Sequence, residues 1–291
     1  MSGFSPAWLA LREPADHRAR NAELADALRS YFLQRDHITV VDLGCGSGSN
    51  LRATSALLPA SQSWTLVDYD PALIGAARTA LSAWADTSEA RGEALRLVKD
   101  GRTIDVVFRQ ADLVSELDAV LSGKPDLVTA SALFDLASEA FINRFAKSVA
   151  AIGAAFYTVL TYNGIQHWLP RRPLDQQMTA AFIAHQMTDK GFGVSAGPLA
   201  PEHLAGAFRS FGYSVSEGDS PWILAAPGDS KLIGDLAEGF AGAVRETRKV
   251  SNADIDKWMT RQFTGAEVGH TDTLALPGPG VMTSLDENGV D

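Results

Sequence analysis

The sequence predicts an α/β fold: a doubly wound, mostly parallel sheet of seven strands with a helical insertion after the fifth. Two observations carry this. Short β-branched runs alternate with stretches of helical period from residue 38 to residue 160, the pattern of parallel strands whose connecting helices cover both faces. The first of those runs ends in VVDLGCGSGSN, residues 40–50, with three glycines within five residues. Glycine carries an entropic cost, so such a turn implies close access to its backbone or unusual dihedrals.

Taken in order, residues 15–34 place Ala22, Leu24, Leu28, Tyr31 and Phe32 at helical spacing and predict one amphipathic helix. ITVVDL (38–43) is the first strand, and residues 50–58 form the helix behind the glycines. WTLVDYD (64–70) is the second strand, and Asp70-Pro71 reads as an N-cap with proline at the first helical position. Asp100-Gly101 separates two alternating runs within 93–113, a hairpin signal whose second arm supplies strand three. A short helix at 114–122, strand four within 125–133, a helix through Phe141, Phe145, Val149 and Ile152, and strand five at 154–160 follow. From Thr161 the rhythm breaks, and the aromatic and basic stretch 161–201 predicts helix and loop outside the sheet. Residues 202–212 read as helix, 213–225 as the sixth strand region, Leu232 to Val244 and 252–263 as helices, and 270–277 as the last strand. The expected organisation is one domain, 1–291: an N-terminal helical segment 1–37, a ligand-binding core 38–160, a substrate-side insertion 161–201, a C-terminal part 202–277 and a frayed tail 278–291.

With 291 residues, 46% of them hydrophobic, the chain can build a large core. A net charge of -10 gives no general help in binding phosphate backbones, so nucleic acid is not the expected partner. Cys45 is the only cysteine, which rules out an intrachain disulfide. The start MSGFSPAWLALREPADHRAR lacks the pattern of a secretory signal, and no apolar run is long enough to span a membrane. A cytoplasmic protein is expected, with no membrane partner. No His, Cys and carboxylate cluster has metal-ligand spacing, so no metal is expected.

In a doubly wound sheet, ligands sit beyond the carboxyl ends of the strands, and the helix after the loop turns its positive end to them. Asp42 ends strand one. The spacing Gly44-x-Gly46-x-Gly48 departs from the G-x-G-x-x-G of dinucleotide sites. Asp68 ends strand two, where a carboxylate can accept hydrogen bonds from both ribose hydroxyls. These features leave nicotinamide and adenosyl cofactors both open.

VVDLGCGSGSN resembles motif I of the class I S-adenosylmethionine-dependent methyltransferases. LVDYDP resembles that family's second motif, RQADL (109–113) its third and DLVTASALFDL (126–136) its fourth, in family order across residues 38–160. WLALREPADHRAR, AHQ and VGHTDTLALP are similar to stretches of uncharacterised bacterial members. The resemblance implies a Rossmann-like methyltransferase fold with the last strand antiparallel near the edge. It also implies S-adenosyl-L-methionine as cofactor and methyl transfer to a small-molecule acceptor by in-line displacement. Carried onto this sequence, it implies Asp42, Gly44, Gly46 and Gly48 beside the cofactor's amino-acid end and Asp68 at the ribose, with Tyr69 next to it. Asp112 and Leu113 would then frame the adenine, and Ser131 and Ala132 the methyl-bearing face.

On the acceptor side the candidates lie mostly in the insertion. His185 shares a helical face with Asp189 and is a candidate base near neutral pH. Tyr162 follows strand five directly and is the second catalytic candidate. Arg171 and Arg172 are candidate clamps for a carboxylate or phosphate, and Gln186 and Trp168 are further substrate contacts. Arg12 and Arg20 are candidates to close over the site. Each has a plainer alternative: a paired helical histidine, an exposed turn between prolines for the arginines, core packing for Trp168, a turn residue for Asp112. A nicotinamide-dependent oxidoreductase and a non-catalytic cofactor-binding module are the competing functions on the same fold.

Overall fold

The computed structural model describes residues 4–278; all but the first residue of the tail expected at 278–291 lies outside them. The chain opens with two helices, α1 (Pro6–Ala19) and α2 (Ala22–Phe32). The single helix expected over 15–34 is broken at Arg20, whose backbone is extended, and Asn21 caps the second helix by accepting from Leu24 N–H at 3.1 Å. The core follows as β1 (His37–Leu43), α3 (Ser49–Thr54), β2 (Ser61–Asp68) and α4 (Pro71–Trp84). Asp70 caps α4 through Ala72 N–H, with Pro71 at the first helical position as expected. Next come β3 (Thr87–Arg91), β4 (Ala94–Lys99), β5 (Arg102–Gln110), α5 (Leu113–Leu121), β6 (Leu127–Ser131), α6 (Glu139–Ile152) and β7 (Ala155–Leu169). The chain then runs through α7 (Asp175–Gln186), α8 (Ala200–Ser210), β8 (Tyr213–Asp219), β9 (Trp222–Ala225), α9 (Ser230–Thr247), α10 (Asn252–Met259) and β10 (Gly265–Pro277).

These strands form one mixed sheet in the order β3-β4-β5-β2-β1-β6-β7-β10-β8, with β9 also paired to β10. The strands from β5 to β7 are mutually parallel, and β10 enters antiparallel between β7 and β8. Seven strands match the expected plan; the sheet has ten because the first arm of the expected hairpin, β4, also joins it and two strands, β3 and β9, were not anticipated as separate. β3 is exposed along its whole length and merely extends the β4–β5 hairpin, so it carries no burial pattern to read. β4 is the first arm of that hairpin. β9 is a short second arm on β10.

The larger correction concerns 161–169, which continue β7 rather than leaving the sheet. β10 pairs with β7 from Phe156 to Leu169, with irregularities between Val268 and His270 and between Thr271 and Thr273. Leu160 at φ +60° and Gly164 at φ +90° bend β7 along this stretch. Helices cover both faces. One side packs Leu28, Phe32, Trp64, Trp168, Phe240 and their neighbours, and the other packs Leu117, Phe134, Phe145, Phe156 and Phe208. Buried Asp272 ties the N-terminal helices to the sheet, accepting from Leu160 N–H at 2.8 Å, Asn21 N–H at 2.9 Å and Ser220 Oγ. Among the described residues, no helix is long and apolar enough to cross a membrane.

Candidate active site

Parallel register brings the ends of β1, β2 and β6 to one edge of the sheet, where Asp42 is level with Leu66 and Thr129. The glycine turn rises from this edge. Gly44, Gly46 and Gly48 lie at φ +64°, +53° and +78°, a region that residues with a Cβ rarely occupy. Cys45 N–H reaches Val67 O at 2.9 Å, and Gly48 N–H reaches Cys45 O at 2.8 Å. Gly46 N–H donates to Asp68 Oδ2 at 2.8 Å, and Asp70 N–H donates to Oδ1 at 3.0 Å. Each oxygen keeps a further lone pair. Burial holds the Asp68 carboxyl above its ordinary value, against the bonds from Asp70 and Gly46.

Asp42 is fully buried behind the turn. Asn50 Nδ2 donates to its Oδ1 at 2.7 Å, while Oδ2 is buried without a partner, as is Ser47 Oγ. Burial pushes Asp42 up to about 7. Cys45 is buried and its thiol is pushed well up by that burial, so it spaces the turn and is no nucleophile.

The N-terminal helix lies along this turn, which the sequence did not reveal. A methyl group built on Gly46 would sit 3.0 Å from Leu9 Cδ1. Glu13 grips Arg52 of α3 with two 2.6 Å bonds, and Arg52 also donates to Ser47 O at 2.9 Å. His17 Nε2 is 3.0 Å from Ser49 Oγ. Arg20, expected to close over ligand, instead donates to Asn50 Oδ1 and Thr54 Oγ1, both at 2.9 Å.

The remaining positions suggested for a cofactor lie around the same edge. Asp112 is half-buried and uses Oδ1 to cap α5 through Val114 N–H at 2.8 Å. Leu113 is buried under that helix, and Tyr69 is exposed. Ser131 ends β6, and Ala132 takes φ +52° with its N–H on Val159 O at 3.0 Å.

Beyond Ala132 the chain turns through Asp135, which is buried with Oδ1 unpartnered; burial pushes it up to about 6. Tyr162 on β7 stands directly opposite His270 on β10, ring centroids 6.4 Å apart. Tyr162 OH and His270 Nδ1 are also buried without partners. His270 had no assigned role in the sequence reading. It lies far along the chain from Tyr162 and shares no motif with it, and only the β7–β10 pairing brings the two together.

No protein-family model matches the sequence, and no curated protein does. Among solved structures, an S-adenosylmethionine-dependent methyltransferase from Thiobacillus denitrificans in complex with S-adenosyl-L-homocysteine aligns with a TM-score of 0.45 at 17% identity, over 93% of this chain and 98% of that one. The YcgJ protein from Bacillus subtilis aligns with a TM-score of 0.51 at 14% identity, over 89% of this chain and all of that one, 100%. A cyclopropane-fatty-acyl-phospholipid synthase-like protein from Lactobacillus casei reaches 0.53 at 16% identity, over 94% of each chain. The fold is a Rossmann-like α/β fold, shared with these last two structures.

Set on this fold, most of the expected acceptor-side residues fall away from the glycine turn. His185 sits in the last turn of α7 and pairs its Nε2 with Glu246 Oε2 at 2.9 Å, with Lys190 Nζ 3.3 Å from Nδ1. It is the paired helical histidine of the plainer alternative. Arg171 and Arg172 follow β7 after Leu169, ten residues past Val159, which is level with Ser131. That is a contour of roughly 30 Å of strand. Arg172 lies over the Phe263 ring at 3.5 Å and donates to Arg261 O. The two arginines line a cavity of about 510 Å³ at this distal end, together with His167 and Gln176. Trp168 is core, packed on Phe240, Trp258 and Phe263. Gln186 lies half-buried against Gly197. Of these candidates, only Tyr162 stands at the carboxyl edge of the sheet. Among the described residues, no three His, Cys, Asp or Glu side chains gather as a metal site.

Proposed function

We propose that this protein is an S-adenosylmethionine-dependent methyltransferase acting on a small molecule. The observation that carries the reading is the bond from Gly46 N–H to Asp68 Oδ2, which couples the bare turn after β1 to the carboxylate ending β2. A turn with three left-handed glycines next to such a carboxylate suits a nucleoside whose sugar meets the acid and whose other end meets the backbone.

The residues present fit that cofactor. Asp42 Oδ2 is a buried acceptor lacking a donor, suited to the ammonium of an amino-acid end, and Ser47 Oγ in the glycine turn is also buried without a partner. Asp68 retains lone pairs for ribose hydroxyls, and Asp112 keeps Oδ2 for an adenine amino group. The cofactor supplies a methyl group already activated on a positively charged sulfur. What remains for the protein is to align the acceptor and to exclude water. The α1 helix, clamped along the turn through Glu13 and Arg52, supports the second task. The net charge of -10 and the covered site support a small acceptor over a nucleic acid.

Calorimetry with S-adenosylhomocysteine tests the cofactor half, with micromolar binding expected; a flat titration at millimolar ligand would sink it. Radiolabelled methyl donor incubated with fractionated metabolite extract tests the acceptor half, with label expected in a low-mass product.

A further inference from the structure

Asp135, Tyr162 and His270 come from three elements: the turn after β6, the bent stretch of β7, and β10. Their exposures are 7%, 5% and 6%, and each holds one buried polar atom without a protein partner. An unpaired buried polar group costs stability. Tyr162 and His270 face each other across β7 and β10, and the Asp135 charge adds to burial in raising the Tyr162 phenol, so the three ask for a common ligand. Aromatic rings wall the cluster, with Phe182 at 5.8 Å from Tyr162 and Trp222 at 5.5 Å from His270 between ring centroids. Asp135 lies four residues past Ser131, at the tip of β6.

The charge balance decides what fits. The nearby cation is Arg12 of α1, and Asp16 already takes it with both carboxylate oxygens, at 2.9 Å to 3.2 Å. Trp222 Nε1 donates to the same Asp16 at 3.0 Å, and the Arg12 guanidinium covers the Trp222 ring at 5.0 Å. Arg12 is therefore spoken for, and an incoming anion would meet Asp135 instead. A carboxylate oxygen only accepts, while an imidazole nitrogen and a phenol accept as well as donate. The set favours a ligand that brings donors.

We propose that Asp135, Tyr162 and His270 form the acceptor pocket of this chain, and that it takes small amines or N–H heterocycles rather than carboxylates or phosphates. The term acceptor rests on the methyltransferase reading; the preference for a donor-bearing ligand rests on the cluster alone.

Benzylamine and benzoate, matched in size and opposite in charge, are the probes. Each is titrated at neutral pH into protein carrying ¹⁵N-labelled histidine, with the His270 signals assigned through His270→Gln. Benzylamine is expected to shift the His270 nitrogens saturably and benzoate to leave them unmoved. Asp135→Asn is expected to weaken benzylamine about tenfold through loss of a charged partner, and Tyr162→Phe about threefold. The other five of the six histidines report that each variant is folded. Benzoate binding as well as benzylamine, no movement of His270 at tens of millimolar amine, or unchanged amine affinity in both variants would each overturn the pocket. S-adenosylhomocysteine binding by the same samples separates the two readings. Cofactor without amine defeats the pocket alone, and amine without cofactor defeats the methyltransferase reading alone.

Discussion

Gly46 and Asp68 hold each other: the backbone N–H of one donates to Oδ2 of the other at 2.8 Å, joining the turn after β1 to the tip of β2. The carboxylate therefore shapes the turn besides facing any ligand there. Asp68→Ala is expected to lower S-adenosylhomocysteine affinity at least about 100-fold and to cost about 1–3 kcal/mol of stability, since it orphans two backbone donors. Asp68→Asn keeps one acceptor oxygen and should fall between. Calorimetry and urea unfolding on the same samples check both effects, and an Asp68→Ala protein that binds like the parent would contradict the assignment.

At Gly46 a side chain meets two separate obstacles. The backbone sits at φ +53°, and a methyl group would lie 3.0 Å from Leu9 Cδ1. The first costs about 1–2 kcal/mol for an L-residue, while the second is softer because a leucine tip can rotate. Gly46→Ala is expected to lose about that strain and to weaken cofactor binding. Adding Leu9→Ala should recover only the contact part, a small coupling in a double-mutant cycle.

The clamp of α1 on α3 gives a kinetic prediction. Arg52 is almost fully buried and Glu13 largely so. Burial works to raise Glu13, but the bonds and charge of Arg52 outweigh it and leave the carboxyl below its ordinary value. Glu13→Gln is expected to cost about 1–2 kcal/mol and to speed hydrogen exchange along α1. With the turn less tightly covered, association of S-adenosylhomocysteine should quicken in stopped flow. Unchanged exchange in α1 would show that the ion pair does not hold the helix down.

The parts legible in the sequence were those where burial follows apolar residues. ITVVDL and WTLVDYD carry their own signal, as does the Asp70-Pro71 cap. The stretch after Thr161 misled because β7 buries polar residues there: Thr161 and Gln166 face inward while Ile165 and Leu169 are exposed. The break at Arg20 was hidden because helical spacing runs through it, and only the capping by Asn21 ends one helix and starts another. His270 stood in a recognisable stretch, yet nothing local to it pointed to Tyr162. That pairing is set by the β7–β10 register across two irregularities.

The same burial that hides these groups makes stability depend on pH in two opposed ways. Burial raises Asp42 from 3.8 to about 7 in the folded protein. Between those values the folded state binds more protons at this site than the unfolded chain, so stability falls as pH rises through the window. Burial lowers His270 from 6.5 to about 3, with the charge of Arg12 acting in the same direction. Between those values the unfolded chain binds the extra proton, so stability falls as pH drops. Variants separate the two. Asp42→Asn retains an oxygen for Asn50 Nδ2 and should gain on the parent as pH climbs from 3.8 to about 7, then hold a constant advantage above it. His270→Gln should gain on the parent as pH drops below 6.5. Urea midpoints across pH 4–8 for the three proteins test this, because other titrating groups cancel in the differences. Parallel curves would mean that neither group is held away from its ordinary value by burial.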